Sequence, residues 1–367
     1  MSLKSSVKVK KVASIETAVT LDTKRIELSR ARIMARAWSE TITETRRTSQ
    51  AALFARAAME TFAADIVPGF ALSGPFVAVR GGLDATARQL AQSIGQEAKA
   101  LPLLEGCHFL TSLYTALLPR RDRSALGAFY TPPALTHRLL DLAGEGGLDW
   151  SSARVLDPAS GGGAFLLEAA TRMRRALDGS EPALILAQLG TRLSGFELDP
   201  HAAGLSQAAL EILLSDLSAA SGRKVPVFVK VCDTLEEPPA AQFDLVVGNP
   251  PYGRVTPTAA HPTRSAPGLY GHAHLYCVFP AIAPPLARPG GPGPSRGGRA
   301  AQGGSRPAGA VRFPLARALG GARGGGGGGG AGRVRGYRRT GHRGAVARRG
   351  PGLLHRAGPG GAGGAAG

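Results

Sequence analysis

Cysteine is scarce in this chain: three residues in 367, Cys107, Cys232 and Cys277, with no two in a C-x-x-C pair. That spacing excludes a zinc ribbon and a disulfide framework, and it fits a reducing, cytoplasmic setting. Long apolar runs are missing as well. Nowhere do about 18 apolar residues follow one another, and the lysines before Ser14 lead into no apolar segment, so neither a spanning helix nor an export signal is expected. Acid is absent from the end of the chain. From Arg288 to Gly367 there are fifteen arginines and no Lys, Asp or Glu, which leaves only +3 of the net +18 for everything before. The basicity therefore belongs to the tail, and by itself says little about the partner of the rest.

That tail is almost wholly Gly, Ala, Arg and Pro, with glycine uninterrupted from Gly324 to Gly330. Such a composition has too little apolar surface to offset the entropy of ordering it, so residues 291–367 are expected to be disordered. Codons made only of G and C encode only these four amino acids, so an out-of-frame stretch of GC-rich DNA is the expected origin. A Gly/Arg-rich nucleic-acid-binding tail is the alternative.

What is present falls into two textures. Residues 1–125 read as a helical region: Phe54, Ala58 and Phe62 recur at i, i+4 and i+8, Ile26 and Ile33 lie a heptad apart, and breaks fall near Pro68 and Gly81. No nuclease pattern of the Pro-Asp…Glu-x-Lys kind is found there. Residues 126–290 alternate strand-like and helical runs. Ala153–Leu156, Leu193–Glu197, Val225–Val231 and Phe243–Val247 are short and apolar or β-branched, and the alternation predicts an α/β fold with a mainly parallel sheet. Ligands of such sheets bind at the carboxyl ends of the strands, so the chemistry should follow each run directly.

It does. After the first run comes Asp157-Pro158-Ala159-Ser160-Gly161-Gly162-Gly163-Ala164-Phe165, a glycine turn leading into a helix. Glycines there admit a ligand close to the backbone and present the N–H groups of the helix start. A dinucleotide site is the rival reading, but the third glycine of its motif is missing and Glu197 lies too far along. After the second run, Glu197 can accept hydrogen bonds from ribose hydroxyls, while Asp199 ahead of Pro200 suits a helix cap. Asp233, after the third run, is placed for an adenine amino group or equally for a turn. The most specific signal is the last: an apolar strand delivering Gly248-Asn249-Pro250-Pro251-Tyr252. Two prolines in succession cannot donate backbone hydrogen bonds, so the chain must leave the ladder there. The Asn249 amide oxygen and the Pro250 carbonyl can then accept both N–H bonds of an exocyclic amine, with the Tyr252 ring as a stacking face.

Together, Asn249-Pro250-Pro251-Tyr252 and the glycine motif beginning at Asp157 resemble the N6-adenine DNA methyltransferases of TaqI-like and restriction-modification type. The resemblance covers Leu126 to Gly291. It implies a Rossmann-like sheet binding S-adenosyl-L-methionine, transfer of the methyl group to an adenine flipped out of double-stranded DNA, and a restriction endonuclease as partner. It makes Tyr130, Thr131 and Pro132 contacts to the methionine side of the cofactor. It assigns Asp157, Pro158, Ala159, Ser160, Gly161, Gly163, Phe165, Glu197 and Asp233 to cofactor binding. It gives Asn249, Pro250, Pro251 and Tyr252 to catalysis, joined by Phe279 of Leu275-Tyr276-Cys277-Val278-Phe279 as a second stacking ring, although a core phenylalanine reads equally well. The target-recognition segment that the family carries further on is not legible here. Methylation of RNA or of a protein glutamine, and a truncated, inactive nucleic-acid binder, remain as alternatives. His272 and His274, with no third ligand, imply no metal.

Overall fold

The computed structural model describes residues 2–70, 72, 79, 81–125, 131–237, 239, 243–249 and 311–312, with the backbone alone for 2–18, 124–125 and 311–312. The chain divides into Met1–Gly321 and Ala322–Gly367, and every described residue falls in the first. The expectation of a disordered tail lies outside the described residues, apart from Val311 and Arg312.

The helical texture of the first third forms helices α1 (Ser2–Glu40), α2 (Glu44–Ala63), α3 (Ala85–Ala98), α4 (Leu103–Leu117) and α5 (Arg120–Ala125). The Phe54, Ala58 and Phe62 stripe faces inward, fully covered. Burial of two phenylalanines contributes on the order of 1.5–3 kcal/mol each, enough to fix which side of α2 is the core side. The heptad at Ile26 and Ile33 marks a helix but not its inner face: these residues are 54% and 69% exposed, whereas Leu28 and Ala35 are buried. Both pairs are seven apart, and only the neighbouring elements decide which one is covered. Between α2 and α3, Asp84 starts the second helix by accepting a hydrogen bond from the Ala87 N–H (2.8 Å).

Beyond α6 (Pro133–Glu145) the chain alternates β1 (Val155–Asp157), α7 (Ala164–Ala176), α8 (Pro182–Arg192), β2 (Leu193–Glu197), α9 (Pro200–Leu213), α10 (Ser215–Ser221), β3 (Val229–Val231) and β4 (Leu245–Val247), with β5 (Val311–Arg312) beside β4. The sheet is parallel throughout, in the order β3-β2-β1-β4-β5. Val155 stands opposite both Leu193 and Leu245. All four predicted runs supply strands: β2 over its full length, the other three beginning two to four residues late, and β1 running one residue further, to Asp157. The strand order turns back between β1 and β4, which is where an open α/β sheet leaves a crevice for ligand.

Helices α7 and α9 pack on the sheet, α4 lies across both, and α2 packs on α4 and α9. One continuous core therefore runs from Leu28 through Leu110, Leu166 and Leu210 to Val247. The helical region covers the outer faces of the sheet helices, which are apolar for that reason: from Ala202 to Leu210 every residue of α9 is buried. No helix among the described residues is long and apolar enough to cross a membrane.

Candidate functional site

Three strand tips deliver their loops to one place. The loop after β1 is pinned on both sides: Ser160 N–H donates to the Phe196 carbonyl (2.8 Å) and Thr234 Oγ1 to the Pro158 carbonyl (2.6 Å). It turns through Gly161 (φ 52°) and Gly163 (φ 78°), left-handed positions that glycine adopts at least cost. Gly163 is also the N-cap of α7, and a Cβ there would collide with the Ser206 hydroxyl of α9. The glycine is thus required twice, by its backbone angle and by the neighbouring helix. Phe165, in the first turn of α7, is buried in the core.

Glu197, at the end of β2, turns its carboxylate onto this loop. Its Oε2 accepts from Gly161 N–H (2.6 Å) and its Oε1 from Asp199 N–H (2.9 Å). Burial pushes the carboxyl up to about 7, opposed by those two backbone donors. Asp199 caps α9 as its place before Pro200 predicts, accepting from His201 N–H (2.9 Å), and its second oxygen accepts from the Tyr114 hydroxyl (2.7 Å). That bond, between buried partners on α4 and at the β2 tip, ties the helical layer to the crevice. Asp233 spends one oxygen on the Leu235 N–H (2.9 Å) of its own turn.

At the end of β1 itself, Asp157 is 1% exposed. Burial drives its carboxyl up to about 8, with Ala159 N–H pulling down and Glu197 pushing further up. Gly248 passes directly against it: a Cβ would stand 2.6 Å from Asp157 Oδ1. One residue further, Asn249 donates from Nδ2 to Thr131 Oγ1 (3.2 Å), while its Oδ1 is buried without a hydrogen-bond partner among the described residues. An orphaned buried carbonyl costs about 1–3 kcal/mol, a cost that an incoming N–H donor would remove. Ser160 Oγ, in the glycine loop, is likewise buried and unpartnered.

Thr131, Asp157, Pro158, Ala159, Ser160, Gly161, Gly163, Glu197 and Asn249 therefore meet around the crevice where the strand order reverses. Pro132 is exposed and caps α6. Tyr130, Pro250, Pro251, Tyr252 and Phe279 lie outside the described residues, as do His272 and His274. Among the described residues no group of three His, Cys, Asp or Glu could hold a metal ion. Among the participants not singled out from sequence are Thr111, which lies against Gly162, and Tyr114, Ser206 and Gly248. Gly248 alone carried a signal, its place directly before Asn249. The others are ordinary helix residues whose partners are far away in the chain.

Residues 108–264 match the model of the N-6 DNA Methylase family. Two curated relatives are type II methyltransferases. M.TthHB8I of Thermus thermophilus is 32% identical over 189 residues, 48% of this chain and 35% of the relative. M.PaeR7I of Pseudomonas aeruginosa is 32% identical over 173 residues, 45% of this chain and 30% of the relative. The chain thus spans about a third of the length of these relatives. Among solved structures, the methyltransferase subunit of a type I restriction-modification system from Streptococcus thermophilus aligns at 20% identity with a TM-score of 0.38, over 60% of this chain and 45% of that one.

Proposed function

We propose that this chain is a DNA methyltransferase that transfers the methyl group of S-adenosyl-L-methionine to N6 of adenine, within a restriction-modification system in the cytoplasm. The observation that carries the reading is the buried Oδ1 of Asn249 at the tip of β4, beside the glycine loop and without a partner among the described residues. The family match over residues 108–264 supports it.

The crevice fits the cofactor in three respects. Left-handed glycines open the loop after β1, Glu197 retains lone pairs for ribose hydroxyls, and Ser160 Oγ has no partner among the described residues. When bound, S-adenosylmethionine supplies an electrophilic methyl group on a positively charged sulfur. The protein's own part is positioning. Thr131 Oγ1 holds the Asn249 amide nitrogen, which presents Oδ1 to the crevice. There it accepts one N–H of the adenine amine, and the Pro250 carbonyl accepts the other. N6 is a weak nucleophile because its lone pair is delocalised into the ring. Hydrogen bonds from both N–H groups draw that pair out of conjugation, and alignment at about 3–3.5 Å converts the encounter into an intramolecular displacement. The proton leaves only after transfer, when the nitrogen has become acidic, so no base of shifted pKa is required beforehand.

A base stacked in the duplex cannot reach this depth, so the adenine is extruded, with Tyr252 and Phe279 as stacking rings. A restriction endonuclease of the same sequence specificity is the partner this reading implies. The test is transfer of a labelled methyl group to DNA, RNA or protein by the full chain. Label in N6-methyladenine of DNA, lost in Asn249→Ala with cofactor binding retained, is the expected result. Label in RNA or in protein glutamine, or unchanged turnover by the variant, refutes it.

A further inference from the structure

Away from the crevice, four arginines converge where the end of α1, the start of α2 and the passage from α4 to α5 meet. Arg36, Arg47, Arg120 and Arg123 line a cleft of about 240 Å3 floored by Ala116 and Leu118. Among the described residues that line it, one carboxylate joins them, Glu40, and it is already paired with Arg36 at 3.2 Å. Arg47 gives one nitrogen to the Ile42 carbonyl (3.0 Å), but its Nε and that of Arg123 are buried with no partner among the described residues. Burial, and then the charges of Arg36 and Arg120, hold the Arg123 guanidinium below its usual range, with Glu40 in opposition. Guanidinium remains charged at any physiological pH, so this is an uncompensated cluster of net charge +3. Gathering like charges around buried, unsatisfied donors destabilises the free protein, and an anion with several acceptor oxygens would relieve both costs.

The position of the cleft indicates which anion. Helix α4 leads from one site to the other: Thr111 lies against Gly162 of the glycine loop and Tyr114 bonds Asp199 at the β2 tip, while Ala116 floors the cleft. Five residues of helix from Thr111 to Ala116 rise about 7.5 Å. That is a little over two nucleotides of one strand at about 3.4 Å each. We propose that the cleft is a binding site for the phosphodiester backbone of the DNA, seating a phosphate of the strand that lies along the crevice. This rests on the DNA reading above and extends it to a part of the helical region with no role in chemistry.

The test compares the full chain with Arg120→Gln/Arg123→Gln. Loss of charge-assisted contacts to a phosphate should weaken duplex binding roughly ten- to a hundredfold. It should also lower the slope of log affinity against log salt by about 0.9 for each phosphate released, whatever the duplex sequence. Cofactor affinity should not change, and the variant should melt no lower than the parent, because repulsion has been removed. Arg123→Lys should keep the slope and lose part of the affinity, since it retains the charge without the planar fork. A parent that binds and methylates DNA, with a variant of unchanged slope, overturns the cleft alone. So does a variant that melts lower and binds DNA as before. A parent that shows no salt-dependent DNA binding overturns both proposals.

Discussion

On the proposed function, the acid at the tip of β2 should make cofactor binding depend on pH in a direction set by its surroundings. Burial holds the Glu197 carboxyl at about 7, whereas a solvated glutamate titrates near 4.5. Ribose hydroxyls would donate to the ionised form, so binding in the proposed site selects the carboxylate and must first remove the proton when one is present. With a pKa of about 7 the ionised fraction is about nine-tenths at pH ~8, one-half at pH ~7 and one-tenth at pH ~6. Cofactor affinity should therefore fall about tenfold between pH ~8 and ~6, equivalent to about 1.4 kcal/mol, and close to half a proton should be released per cofactor bound at pH ~7. Calorimetric titration in two buffers of different ionisation enthalpy measures both quantities. Glu197→Gln should bind more weakly at high pH and lose most of the pH dependence. An affinity that is flat from pH ~8 to ~6 in the parent, or as steep in the glutamine variant, refutes the argument.

The same raised values act on stability with a defined sign. Asp157 at about 8 and Glu197 at about 7 bind protons more tightly folded than unfolded. Their contribution to the stability of the apo-protein should accordingly be fully present below the unfolded values of about 4 and be lost as pH rises toward 7 and 8, a loss that urea denaturation across that range measures. Asn249→Ala should reduce methyl transfer by at least about a hundredfold, comparable to removing one transition-state hydrogen-bond partner, with cofactor affinity unchanged in equilibrium binding. Gly163→Ala meets both a left-handed backbone and the Ser206 hydroxyl, and should cost on the order of 1–3 kcal/mol in denaturant unfolding together with cofactor affinity. Tyr114→Phe removes the only side-chain donor to Asp199 found among the described residues and should cost about 1–3 kcal/mol, read from the denaturation midpoint at constant slope.

The sequence by itself determined the parallel sheet, the place of β1 to β4 and the residues at their tips, because these are local matters; β5, inside the Gly/Arg-rich tail, was not foreseen. A short apolar run followed by glycines, an acid or Asn-Pro-Pro needs no distant partner to be recognised, and the Asp199 carboxylate before Pro200 caps its helix by accepting from the N–H two residues on. Only the tertiary structure decided what these residues do for one another. The burial that raises Asp157 and Glu197, the Thr131 hydroxyl that turns the Asn249 amide and the hold of Tyr114 on Asp199 all join residues scores of positions apart. The inner face of α1 was likewise undecided, since Ile26 and Ile33 show the same heptad spacing as the buried Leu28 and Ala35. Periodicity records that a helix has an apolar side, but which side is covered depends on the elements packed against it.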